Sequence, residues 1–183
     1  MWIRGELARV PDRRILLAGL SALAGCASAR QPLPGYVFSL TVWASGESVD
    51  FLLLNVADQP IRVINVLPGS LAVEVRDDAG APLTDGFMPL FPDRPAVAPD
   101  PRRASRLPSQ KAAKGSLSAR GLAEALSARI ALDPARTYRL GFQVEAPVVG
   151  PDNQVLLAHV RTRSLCDLSF RDGRPRMDCR SPY

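Results

Sequence analysis

Cys26, Cys166, Cys179 and His159, with the carboxylate pairs Asp77–Asp78 and Asp167–Asp178, are the side chains of this sequence with nucleophilic, metal-binding or acid–base chemistry within reach. His159 is the only histidine, so a serine or cysteine nucleophile activated by a histidine base would have to use it. No Gly-x-Ser-x-Gly elbow is present to present such a nucleophile. The paired aspartates sit beside turn residues, where carboxylates are commonly solvated, and no second feature makes them an acid and a base. Twelve residues separate Cys166 from Cys179 and no histidine lies near them, which does not fit the ligand spacing of a zinc site. Phosphate-cradling glycine loops and acidic metal loops are also absent from the sequence. The expectation is therefore no catalytic residues, no cofactor and no metal.

The two C-terminal cysteines fit a different chemistry. Asp172-Gly173 is a strong signal for a two-residue type I′ hairpin turn, and a turn there pairs residues whose numbers sum to 345. Cys166 and Cys179 meet that condition. Counting outward from Arg171 and Arg174 as a hydrogen-bonded pair places Phe170 with Pro175, Leu168 with Met177 and Cys166 with Cys179 at non-hydrogen-bonded sites. Those sites bring Cα atoms to about 4.5 Å, inside the range a disulfide spans. Pro175, lacking a donor, then faces away from its partner and puts the last strand at a sheet edge. A bridge closing so short a loop is worth about 3 kcal/mol on loop entropy.

Near the start of the chain, Arg13-Arg14 precede the apolar run Ile15 to Leu23, which ends in Leu23-Ala24-Gly25-Cys26. The run is about half of the ~20 residues that a spanning helix needs, and its basic flank is that of a signal segment. These four residues resemble the lipobox of bacterial lipoproteins. The resemblance implies that Cys26 is alkylated with diacylglycerol, that residues 1–25 are removed as a lipoprotein signal peptide, and that the new amino group is acylated, commonly with palmitate. Two or three acyl chains at ~0.8 kcal/mol per buried methylene hold a protein on its membrane far more firmly than one myristoyl chain. Ala27 rather than Asp after the cysteine implies sorting to the outer membrane, facing the periplasm. Export supplies an oxidising setting for a Cys166–Cys179 bridge, and lipidation of Cys26 accounts for the third thiol.

What remains after residue 25 is 158 residues, one domain in size. The segment 26–35, with Pro32 and Pro34, reads as a lipidated tether reaching roughly 30 Å at about 3.1 Å per residue. From residue 36 to residue 183 the pattern is mostly period two. Tyr36, Phe38, Leu40 and Val42 alternate with Val37, Ser39, Thr41 and Trp43. An apolar strand runs from Val49 to Val56, another from Pro60 to Val66, and Leu71, Val73 and Val75 alternate before the turn Asp78-Ala79-Gly80. Gln154 to Arg161 is a further strand, with Val155, Leu157 and His159 on one face. Short strands at close spacing predict an all-β, antiparallel sandwich.

Two stretches differ. Residues 85–115 are rich in proline and arginine and read as a long connection between sheets, with Phe87, Leu90 and Phe91 packed on the core edge; proline bars a central strand from 85 to 108. In Gly121 to Leu132, Leu122, Leu126 and Ile130 recur as on a helix face, which predicts a short helix stopped by Asp133-Pro134, although Ala128 to Leu132 also fits the start of a strand.

Leu132-Asp133-Pro134-Ala135-Arg136-Thr137-Tyr138-Arg139-Leu140 resembles the turn and strand of fibronectin type III and immunoglobulin-like domains. The resemblance covers about a dozen residues. It implies an immunoglobulin-like sandwich with Tyr138 as its tyrosine corner, the phenol buried and its hydroxyl bonded to upstream backbone. Such a sandwich hosts many functions and names none.

Charge is the remaining functional signal. The whole chain carries +5, and loss of four arginines against Glu6 and Asp12 leaves about +3, too little to argue for nucleic acid. Locally, Arg94, Arg102, Arg103, Arg106, Lys111, Lys114 and Arg120 face only Asp100 in sequence. This is a candidate patch for an anionic surface or an envelope protein. The sequence therefore predicts a membrane partner through Cys26 and a non-catalytic binding or scaffold module. The alternative is a lipid-anchored protease inhibitor or secretion-system accessory factor that inserts residues 85–115 into its partner.

Overall fold

A computed structural model describes residues 38–45, 47–91, 99–162 and 164–180. The predicted signal peptide 1–25, Cys26, the tether 26–35 and Arg94 lie outside the described residues.

Strands β1 (Phe38–Ser45) and β2 (Ser48–Asn55) form an antiparallel hairpin in which Phe38 faces Asn55 and Ser45 faces Ser48. Their alternation sends Phe38, Leu40, Val42, Val49, Phe51 and Leu53 into the core and leaves Trp43 63% exposed. Strands β3 (Ile61–Val63), β4 (Leu71–Arg76), β5 (Met88–Pro89) and β6 (Ser105–Leu107) follow, with a single 3-10 turn at Pro101–Arg103 before β6. Next come β7 (Ala112–Ser118), helix α1 (Ala119–Ser127), β8 (Tyr138–Val149), β9 (Val155–Arg161), β10 (Leu165–Arg171) and β11 (Arg174–Arg180).

The strands assemble as two antiparallel sheets. One has the order β1-β2-β7. The other is built around β8, which pairs with β10 and then β9 along one edge, and with β4 and then β3 along the other. β11, β5 and β6 complete it. The buried faces of both sheets supply one core, with Phe51 from the first sheet edge-to-face against Phe142 from the second at 5.2 Å between ring centroids. The all-β expectation holds, and the arrangement is that of two packed sheets, compatible with a sandwich.

Proline positions follow the donor rule. Residues 85–118 contribute β5, β6 and β7, each of which pairs on one side only. The stretch 85–115 is thus not one long connection: it carries two short edge strands and the start of a third, and Leu90 and Leu107 are buried. Pro147, inside β8, is accommodated because its backbone faces the gap between the β4 pairing, which ends at Leu71–Val144, and the β3 pairing at Val63–Val148. Its carbonyl there accepts from Ile64 N at 3.0 Å.

The helix begins two residues before the predicted Gly121, because Ser118 Oγ accepts from Gly121 N at 2.9 Å and caps it. It ends at Ser127 rather than at Asp133-Pro134. The N–H groups of Arg129 and Ile130 both close on Leu126 O, which finishes the last turn, and Ile130 and Leu132 pack against the core from irregular backbone. Leu122, Ala123 and Leu126 form the buried face of α1.

The C-terminal hairpin has the register set by Asp172-Gly173. Arg171 faces Arg174, Phe170 faces Pro175, Leu168 faces Met177 and Cys166 faces Cys179. Both turn residues have positive φ, 52° and 71°, as a type I′ turn requires. Cys166 and Cys179 form a disulfide with Cα atoms 4.1 Å apart, and β11 is the terminal strand of its sheet. Reduction is expected to loosen β10–β11 and to lower stability by a few kcal/mol at most, while amides up to about Val160 keep their protection from hydrogen exchange. Loss of protection throughout the sheet on reduction would show that the bridge holds more than its hairpin.

Tyr138 lies at the start of β8, 2% exposed. Its hydroxyl accepts from Asp133 N at 2.5 Å and lies 3.4 Å from Asp133 O. Asp133 Oδ1 in turn accepts from Ala135 N, so the five-residue approach to the strand is tied at both ends. Tyr138→Phe is expected to cost on the order of 1 kcal/mol with the fold unchanged. A melting temperature equal to that of the parent would mean that the hydroxyl contributes nothing to the corner.

Candidate functional site

Pairing separates the basic residues that lie together in sequence. Arg102 and Arg103 occupy the 3-10 turn, which Asp100 caps by accepting from Arg102 N at 2.9 Å. Arg106 lies outward on β6, directly across from Arg62 on β3. Lys111 immediately precedes β7, and its carbonyl accepts from Asn55 N. Lys114 instead projects from the open face of the three-stranded sheet, in register with Leu52 and Thr41. Arg120 is on α1, at the other end of the β1–β2 hairpin, 3.8 Å from Glu124. The six described members of the candidate patch therefore do not lie together: Arg102, Arg103, Arg106 and Lys111 collect at one end, and Lys114 and Arg120 lie elsewhere.

Arg62 joins them and was not singled out from the sequence. Its guanidinium donates to Asn153 Oδ1 at 3.0 Å and to Pro101 O at 3.4 Å, which links β3 to the β8–β9 turn and the 3-10 turn. Arg62 and Arg106 are like charges on one face of an edge pair, an arrangement that is unfavourable on its own. Among the described residues none of Arg62, Arg102, Arg103, Arg106 and Lys111 has a carboxylate within 4.0 Å. Asp58, Asp100 and Asp152 belong to the neighbouring turns.

Asn55 builds this end of the molecule. It is fully buried, and its amide nitrogen donates to Gln59 O, Leu107 O and Pro108 O at 3.0–3.2 Å while Oδ1 accepts from Ala57 N at 2.9 Å. Its backbone also bonds Lys111 O and Gln110 N. One side chain thus ties the end of β2, the 57–59 turn and the segment 107–111 together. Because Asn55 faces Phe38, the basic cluster lies at the end where the described chain begins.

The groups that could have carried catalysis are placed otherwise. His159 is on the outer face of β9, half exposed, with Nδ1 3.4 Å from Glu145 Oε1 across the strand pair. Asp167 and Asp178 are cross-strand partners with Arg180 reaching both, at 3.8 and 3.7 Å. Exposed pairs such as those of Arg180 contribute little to stability. Asp77 and Asp78 hold the N–H groups of Ala81 and Ala79 in their turn. No three of the described His, Cys, Asp and Glu residues converge as metal ligands, and no described helix is long and apolar enough to cross a membrane.

On the outer face of the larger sheet, Phe87 lies over Gly141, with the Arg161 guanidinium 4.9 Å from its ring centroid. Arg161 Nε also donates to Gln143 at 2.9 Å, and Glu74 pairs with Arg76 at 2.8 Å. This cluster fastens the chain after Gly86 to the sheet. Comparison of the chain with protein families, with curated proteins and with solved structures finds no match.

Proposed function

We propose that the protein is a lipid-anchored module of the bacterial cell envelope, held by acyl chains on Cys26 and acting by binding rather than by catalysis. The observation that carries this reading is Leu23-Ala24-Gly25-Cys26 placed directly after a basic and then an apolar run. A disulfide between the other two cysteines supports it, since it suits an exported protein and leaves Cys26 as the unmatched thiol. The tyrosine at the start of β8, bonded back to Asp133, supports reading the two sheets as an immunoglobulin-like or fibronectin type III-like sandwich. Ala27 supports the outer membrane as destination, with the domain in the periplasm.

The inhibitor or secretion-accessory reading has less behind it, because the described part of 85–115 includes the edge strands Met88–Pro89 and Ser105–Leu107 and the start of β7. Cys26→Ser tests the proposal. The substituted protein is expected to leave the detergent phase or to remain as uncleaved precursor, and globomycin is expected to accumulate the same precursor from the parent chain. Acyl labelling that persists in Cys26→Ser would overturn the assignment.

A further inference from the structure

We infer that the cluster of Arg62, Arg102, Arg103, Arg106 and Lys111 docks onto anionic phospholipid headgroups of the leaflet that holds the anchor, so that the domain lies on its membrane with this end down. The inference rests on the lipid-anchored reading for the anchor and on geometry for the rest. Phe38 pairs with Asn55 at the end of the first sheet, and Asn55 bonds the carbonyls of Leu107 and Pro108. The chain therefore enters the domain beside the segment that carries Arg106 and Lys111. Twelve residues from Cys26 to Phe38 reach at most about 40 Å when extended.

Of the two ends of the β1–β2 hairpin, the basic one is the nearer to Cys26 along the chain. Screening limits attraction to about 8 Å at physiological salt, so charge at the entry end acts, whereas Arg120, Arg171 and Arg174 at the opposite end of the hairpins do not. Arginine suits the role because its planar fork takes phosphate oxygens bidentately. Arg106 presents such a fork across from Arg62, whose own guanidinium is held by Asn153 Oδ1 and Pro101 O and adds its charge to the same face. A lipid anchor combined with a basic surface is also the pairing that gives stable and oriented attachment.

The test uses residues 26–183 coupled through Cys26 Sγ to a maleimide lipid, which fixes the anchor chemically whether or not cells acylate it. Vesicles of phosphatidylcholine alone are compared with equal parts of phosphatidylcholine and phosphatidylglycerol. On the anionic vesicles, amide exchange in 58–62 and 99–111 is expected to slow, exchange in 169–176 to stay unchanged, and high salt to abolish the difference. Each arginine removed from the cluster should lower the docked-to-undocked ratio about fivefold. Combined Arg102→Glu, Arg103→Glu and Arg106→Glu should remove the protection, while Arg171→Glu with Arg174→Glu keeps it. Equal exchange on the two vesicle types, protection at 169–176 instead, or equal loss with the far-end pair would overturn the proposal. Docking of the coupled chain when the cellular protein proves unacylated would uphold the surface and overturn only the anchor.

Discussion

Asn55→Ala is expected to be among the most damaging single substitutions in the domain, costing about 3 kcal/mol. The side chain is 0% exposed, and its removal leaves three carbonyls, of Gln59, Leu107 and Pro108, and the Ala57 N–H without the partners they have at 2.9–3.2 Å. The bond to Leu107 O is fully buried and the other three are partly so; a buried polar group stranded in this way costs about 1–3 kcal/mol unless the segment opens to water. Opening is the expected relief, and it frees the stretch 107–111 that carries the basic cluster. The loss corresponds to a fall of roughly 6–12 °C in melting temperature for a domain of this size. Asn55→Asp separates shape from hydrogen bonding, since it keeps the volume but turns a carboxylate oxygen toward three carbonyl oxygens. It should be at least as destabilising as alanine. A thermal melt of either variant within a degree or two of the parent would mean that this junction is held by packing alone.

The second large effect belongs to Gly115, in the middle of β7. A Cβ there would lie 2.6 Å from Leu67 Cβ, 2.9 Å from Leu67 C and 3.0 Å from Pro68 N. Two of those atoms are backbone, so no rotamer change relieves the contact. Glycine in a strand interior otherwise costs stability, and here it is required by the close approach of another chain segment. Gly115→Ala must push the 64–70 loop away from the sheet edge or displace β7 from β2, at about 2–3 kcal/mol. Asn65 Nδ2, which donates to Lys114 O at 3.3 Å, would lose its acceptor in the first case. Gly121→Ala serves as the control, because its nearest contact is a Ser118 hydroxyl at 3.2 Å and alanine favours the helix. Chemical denaturation of the two variants should show a large loss for residue 115 and a small change for residue 121. Equal effects would contradict the close approach.

These two residues mark where the sequence stops being informative. Asn55 reads as the end of an apolar strand, and its burial depends on carbonyls 52 and 53 residues away. Nothing local announces that. β7 is similar: Ala112 to Ser118 has no apolar alternation, and it is a strand because β2 pairs with all of it. Arg62 joins Arg106 only through the β3–β6 pairing, so a count of charges along the chain finds Lys114 and Arg120, which lie elsewhere, and misses Arg62. By contrast, the C-terminal hairpin follows from two turn residues, because a two-residue turn fixes the parity of every pair beyond it. The faces of β1 and β4 follow from strict alternation, with Val42 inside and Trp43 outside. β3 is shorter than the apolar run from Pro60 to Val66, since Ile64 turns to bond Pro147 O and Asn65 Oδ1 takes the N–H of Leu67.

The most direct test of the account is the mass of the N-terminal peptide of the protein extracted from bacterial membranes. Lipid anchoring predicts a chain that starts at Cys26, with diacylglycerol on its sulfur and an acyl group on its amine, beside a Cys166–Cys179 disulfide in the same preparation. An unmodified Cys26, cleavage at any other bond of the 20–30 region, or a disulfide from Cys26 to Cys166 or Cys179 would contradict it.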